Sequence, residues 1–141
     1  MLFRIACDCE FDGTGQLVRI VDVDTIDFFA ASNTPWGERL VELSELASGW
    51  LDGGGAQVSL DAIEFARDLV AVLDESGLPA PRIYPTEPGG VQLEWHAETG
   101  DTEVEIGPDL VTAAFHFGAR EESLEDVRGV VPLVDFVRRH L

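Results

Sequence analysis

The sequence predicts an α+β fold: an antiparallel β-meander with two to three helices packed on one face, and an amino-terminal hairpin that either joins that sheet or makes its own. Three observations carry this reading. Apolar residues recur at helical spacing between Ser59 and Glu75, and they alternate with polar residues between Val91 and Phe117. Short turn signals interrupt the alternation, which suits antiparallel neighbours; parallel strands need long crossovers. Helical and strand patterns also fall largely in separate runs, the ordering of α+β chains.

In chain order, Leu2 to Phe11 alternates, with Phe3, Ile5, Cys7, Cys9 and Phe11 on one strand face. The turn Asp12-Gly13-Thr14-Gly15 leads to a second strand, Gln16 to Asp24, completing a hairpin. Thr25 to Asn33 fits either a strand extension or a connector. Pro35 suits the first turn of a helix capped by Asn33 or Thr34, with Trp36, Leu40, Leu43 and Leu46 on its apolar side. That helix is expected to stop at Ser48-Gly49. Trp50-Leu51-Asp52-Gly53-Gly54-Gly55 is a loop, since three consecutive glycines favour neither helix nor strand, and Trp50 is its natural anchor.

Ser59 to Glu75 is the clearest helix. Asp61 and Glu64 have capping-box spacing, and Ala62, Phe65, Ala66, Leu69, Val72 and Leu73 form its stripe. Gly77 is placed as a C-cap, and Pro79 and Pro81 prevent continuation. The short R-I-Y-P-T segment reads as an edge strand because of Pro85. Pro88-Gly89-Gly90, Thr99-Gly100-Asp101 and Gly107-Pro108-Asp109 then separate strands containing Val91 to Trp95, Val104 to Ile106, and Leu110 to Phe117. A loop bearing Glu121, Glu122, Glu125 and Asp126 precedes a last helix, Pro132 to Leu141. There is neither linker nor repeat, so residues 1–141 read as one domain.

Composition excludes several functions. The 141 residues hold 27 Asp and Glu against 9 basic residues, a formal charge of −18, while a hydrophobic fraction of 45% is that of a folded globule. Such a chain is repelled by nucleic acid and by anionic membranes. No apolar run reaches spanning length and the amino terminus lacks signal-peptide layout, so a cytoplasmic protein is expected. All nine basic residues are Arg, which rules out a lysine Schiff base. Cys7 and Cys9 are too close for a disulfide framework and read as buried thiols. His96, His116 and His140 lack metal-ligand spacing, so neither metal nor cofactor is expected. The glycine loop lacks a following G-K-[ST], and no serine lies in G-x-S-x-G.

Two segments carry a resemblance: G-W-L-D-G-G-G before the long helix, and P-x-P-R-I-Y-P-T-x-x-G-G-V-Q-L-E-W after it. Over about residues 49–106 the chain resembles a group of small bacterial proteins sharing a W-x-D-G-x-G-like loop and a P-T-x-x-G-G-x-Q-x-E-W hairpin segment. The resemblance implies a soluble bacterial protein with a helix-plus-meander core, and it implies no reaction.

One constellation has chemical content. With Val91, Leu93, Trp95, Val104 and Ile106 inward, Glu94, His96, Glu103 and Glu105 share the opposite sheet face with Gln92. No basic residue occurs from Ile83 to Ala119. The expected function is therefore a non-catalytic acidic binding protein that engages a basic partner, of antitoxin, immunity, inhibitor or nucleic-acid-mimic type. One alternative is a structural or assembly subunit forming a homo-oligomer. Another is a small ligand-binding domain or enzyme using the Gly53–Gly55 loop, with Trp50, Asp52, Gly53 and Tyr84 as loop-side binding residues beside the sheet carboxylates.

Overall fold

The computed structural model describes residues 9–11, 17–20 and 34–141. Strands β1 (Cys9–Phe11) and β2 (Leu17–Ile20) pair antiparallel with a bulge between Glu10 and Phe11, and they form a two-stranded sheet of their own. The hairpin therefore stays separate from the meander. The expectations for Cys7 and for residues 25–33 lie outside the described residues, and that for Cys9 concerns a side chain outside them.

Helix α1 (Pro35–Ser44) starts where Thr34 accepts a hydrogen bond from the Gly37 amide at 3.0 Å, satisfying one of the free amides of the first turn. Trp36, Leu40 and Leu43 are buried, and the helix ends four residues before Ser48, with Gly49 at φ +89°. Helix α2 (Leu60–Glu75) is capped by Ser59, whose hydroxyl accepts from the Ala62 amide at 3.3 Å. The expected capping box on Asp61 thus lies within the first turn, and Ser59 is the true cap. Ala62, Ile63, Ala66, Leu69, Val70 and Leu73 are buried while Phe65 and Val72 are half-buried, so the stripe sits partly rotated from expectation. Arg67 is the polar exception, 7% exposed, with one guanidinium nitrogen 3.2 Å from Asp68.

Five strands follow: β3 (Arg82–Pro85), β4 (Val91–Ala97), β5 (Gly100–Ile106), β6 (Thr112–Gly118) and β7 (Glu122–Val127). They pair in sequence order, each antiparallel to the next. The fold is α+β, built on a five-stranded antiparallel meander. β7 corrects the loop expected over residues 121–126. Its segment E-S-L-E-D-V has only Leu124 and Val127 to offer the core, and a register shift between Thr112 and Ala114 breaks its alternation. An acidic, bulged outer strand resists pairing with another chain, and Pro81 and Pro85 flank the opposite edge, β3.

Helix α3 (Val131–His140) buries Leu133, Val134, Phe136 and Val137. These join α1, α2 and the inward residues of β3 to β7 in one core, so all three helices lie on one sheet face. Trp95 spans the seam by donating its indole N–H to the Pro79 carbonyl at 2.8 Å.

The two glycine-rich segments are fastened to each other. The Ala56 amide donates to Glu87 O at 2.8 Å and the Ser59 amide to Gly89 O at 2.9 Å, so the approach to α2 is tied to the β3–β4 turn. In that turn the Gly90 amide donates to Thr86 Oγ1 at 2.9 Å, and a Cβ on Gly90 would collide with the Ile106 carbonyl oxygen of the neighbouring strand. Gly53 differs: it has φ +95° and open space where its Cβ would stand.

These environments separate two costs of adding a methyl group. In urea unfolding, Gly90→Ala is expected to lose about 1–3 kcal/mol through overpacking. Gly53→Ala should lose about 1 kcal/mol from its left-handed backbone alone. Equal losses at the two sites would contradict the close approach of β4 to β5.

Candidate functional site

The sheet face away from the helices takes one residue in two from each strand. Across β4 and β5 the register sets Gln92 opposite Glu105, Glu94 opposite Glu103, and His96 opposite Asp101. Directly opposed side chains have Cβ atoms about 4.5–5.5 Å apart. Glu94 and Glu103 are therefore a like-charge pair at the centre of the sheet. Glu94, His96, Glu103 and Glu105 do share one face, and Asp101 belongs with them.

Local bonds organise these groups without neutralising them. Gln92 Nε2 donates to Glu94 Oε2 at 2.5 Å. The His96 ring lies between two acids, Nδ1 2.8 Å from Asp101 Oδ1 and Nε2 3.6 Å from Glu94 Oε1, with its side chain 46% exposed. Arg82 faces Glu94 across β3 in the register but forms no ion pair with it. Burial pushes the Glu103 carboxyl above its ordinary value, and the charges of Glu94, Glu105 and Asp101 push it further. His96 opposes them more weakly.

The next strand adds aromatic surface. Phe115 pairs with Glu103 and Phe117 with Asp101 across β5 and β6. The two rings are nearly parallel, with centroids 6.1 Å apart, and Phe117 is 46% exposed. Sequence reading included Phe117 only as the end of a strand; its neighbours across the sheet depend on the register.

The loop-side candidates lie elsewhere. Trp50 donates its indole N–H to Ala56 O at 2.8 Å, and its ring fills the space where a Gly55 Cβ would stand. Asp52 and Gly53 form the tip of that loop at φ +48° and +95°. Tyr84 is on β3 and lines an open cleft of about 330 Å³ with Trp36, Arg39 and Arg82. Trp50, Asp52 and Gly53 are one loop, and that cleft brings Tyr84 to α1 rather than to them.

A second polar cluster was not anticipated. His116, 5% exposed, places Nδ1 3.0 Å from the hydroxyl of fully buried Thr102, and its ring stacks on His140 with centroids 4.1 Å apart. His140 has both ring nitrogens engaged: Nδ1 lies 2.9 Å from Phe136 O, and Nε2 2.8 Å from Glu122 Oε1. Arg139 donates to both oxygens of the same carboxylate, at 2.9 and 3.2 Å. The hydrogen bond from Arg139 holds the Glu122 carboxyl below its ordinary value, with help from the charges of Arg139 and His140. The group fastens the end of α3 to β6 and β7. Arg139 and His140 thus do more than complement the helix dipole, the role their sequence position suggests.

Among the described residues no three His, Cys, Asp or Glu side chains converge as metal ligands, and no helix is long and apolar enough to cross a membrane. No family model, curated protein or solved structure matches the chain.

The two carboxylates should respond to pH in opposite senses. Glu103 has a raised folded value, so the fold loses stability as pH rises through it. Glu103→Gln is expected to raise Tm at pH 7, with the advantage vanishing once acid neutralises the native carboxyl. Glu122 has a depressed folded value, so its contribution is complete above the ordinary carboxylate range and is lost as pH falls through the folded value. Glu122→Gln should lower Tm at pH 7, and the deficit should close in strong acid. Thermal melts from neutral to acid pH test both; a Glu103→Gln protein less stable than the native chain at pH 7 would contradict the repulsion.

Proposed function

We propose that this chain is a non-catalytic binding protein whose acidic sheet face receives a basic protein partner, in the manner of an antitoxin, immunity protein, inhibitor or nucleic-acid mimic. The observation that carries the reading is the Glu94–Glu103 pair, opposed in register, in which Glu103 forms no ion pair among the described residues and Glu94 has His96 Nε2 at 3.6 Å as its one ion-pairing neighbour. Directly opposed like charges destabilise a sheet. Among the described residues the Gln92 amide and the His96 ring offset this repulsion only in part, whereas a partner's cation would turn it into attraction.

Other features support the same reading. The overall charge of −18 steers basic molecules toward the chain and repels nucleic acid. Both sheet edges are poorly suited to strand addition, β7 through its acids and bulge and β3 through its prolines, which leaves the face as the recognition surface. The carboxylates lie on an open sheet, and each nitrogen of His96 faces an acid, so the face suits binding better than proton transfer. Self-association through this face would set acid against acid, which disfavours it as a homo-oligomer interface.

Decalysine is a suitable probe because it carries charge without shape. At low salt the native chain should bind it, with affinity falling steeply as salt is added. The triple variant Glu94→Gln, Glu103→Gln, Glu105→Gln should lose about tenfold in affinity. A control removing the same charge from exposed positions of α2 (Glu64→Gln, Asp74→Asn, Glu75→Gln) should lose about threefold or less. Equal losses measured by calorimetry would mean that only net charge is being read.

A further inference from the structure

We infer that Phe115 and Phe117 make the acidic face a seat for arginine side chains in preference to lysine, so that the partner presents arginines on the surface it docks. This rests on the reading of the face as a receptor for a basic partner, and it adds which cation is recognised. The register brings two chemistries together. Glu103 stands across from Phe115 and Asp101 across from Phe117, so each ring on β6 has a carboxylate as its direct neighbour on β5.

A guanidinium group is planar, stacks on aromatic faces and donates in a fork that matches a carboxylate. An ammonium group is a compact, strongly hydrated point charge that gains less from such a ring. The near-parallel rings, 6.1 Å between centroids, give adjacent planar surfaces beside the acids. The exposure of Phe117, at 46%, leaves its surface open to a partner. An exposed Phe117 beside a half-buried Phe115 leaves aromatic surface in water, and stacked guanidinium groups would cover it without burying an unpaired charge. The carboxyl of Glu103, already held above its ordinary value by burial and by its acidic neighbours, gains a stronger counter-charge than His96 supplies.

The occupant is therefore an arginine-bearing segment of a basic protein. A lysine-rich segment would satisfy the charge and leave the rings uncovered.

The experiment compares decaarginine with decalysine at matched low salt, on the native chain, on Phe117→Leu and on Phe115→Leu/Phe117→Leu. The native chain should bind decaarginine about three- to tenfold more tightly than decalysine. In the variants the arginine affinity should fall to the lysine level while the lysine affinity stays within about twofold. Phe117→Leu changes an exposed position, and a native-like melting curve establishes that it folds. A second readout is independent of any variant: ring-proton resonances of Phe115 and Phe117 should shift on adding decaarginine and shift much less with decalysine. Equal native affinities, a preference that survives both substitutions, or unshifted ring resonances would overturn the arginine seat while leaving a basic-partner surface intact. Failure of both peptides to bind at low salt would overturn the two readings together.

Discussion

The molecule depends on the covering of one face of its meander by helices. Once α2 and α3 lie against the sheet, strand parity sends every second residue of β4, β5 and β6 to one side or the other. Val91, Leu93 and Trp95 go inward with Val104 and Ile106, and Gln92, Glu94, Glu103 and Glu105 go outward. A slip of one residue would bury carboxylates under α2, so the core that holds the sheet in register also holds the acids in their array. The repulsion between Glu94 and Glu103 is tolerated because the alternative register costs far more.

The same sheet treats carboxylates in two ways. Glu122 on β7 meets Arg139 and His140 from the last turn of α3, and its charge is matched within the chain. Glu103, on the central strand of the five, has acids on β4 and on its own strand and an aromatic ring on β6. One negative charge is paired with basic side chains; the other forms no ion pair among the described residues. That contrast distinguishes the two carboxylates better than the overall charge does, since nearly every exposed element here is acidic.

Much of the architecture was legible in the residues. The stripe in α2, the alternation in β4 and β5, Pro35 at the start of α1 and Gly77 after α2 each follow from a local preference acting within a few residues. The features that escaped reading depend on distant neighbours. β7 has too few apolar residues to alternate visibly, and it is a strand because β6 offers an edge to pair with. Asp61 and Glu64 had the spacing of a capping box, yet Ser59 caps α2, where the chain is already fixed by its bond to Gly89. His116 and His140 are 24 positions apart, and only the docking of α3 stacks their rings.

By itself the sequence determined the acidity, the absence of lysine, the helix and strand periods, and the shared face of Glu94, His96, Glu103 and Glu105. Those properties follow from composition and from side-chain alternation, which act locally. Tertiary structure decided which carboxylate meets an arginine and what stands beside the others. The register of β5 against β6 put Phe115 and Phe117 next to the acids, and the packing of α3 brought Arg139 to Glu122 rather than to Glu103. Pairing across strands and helices is set by core packing between residues far apart in the chain, and no local preference encodes it.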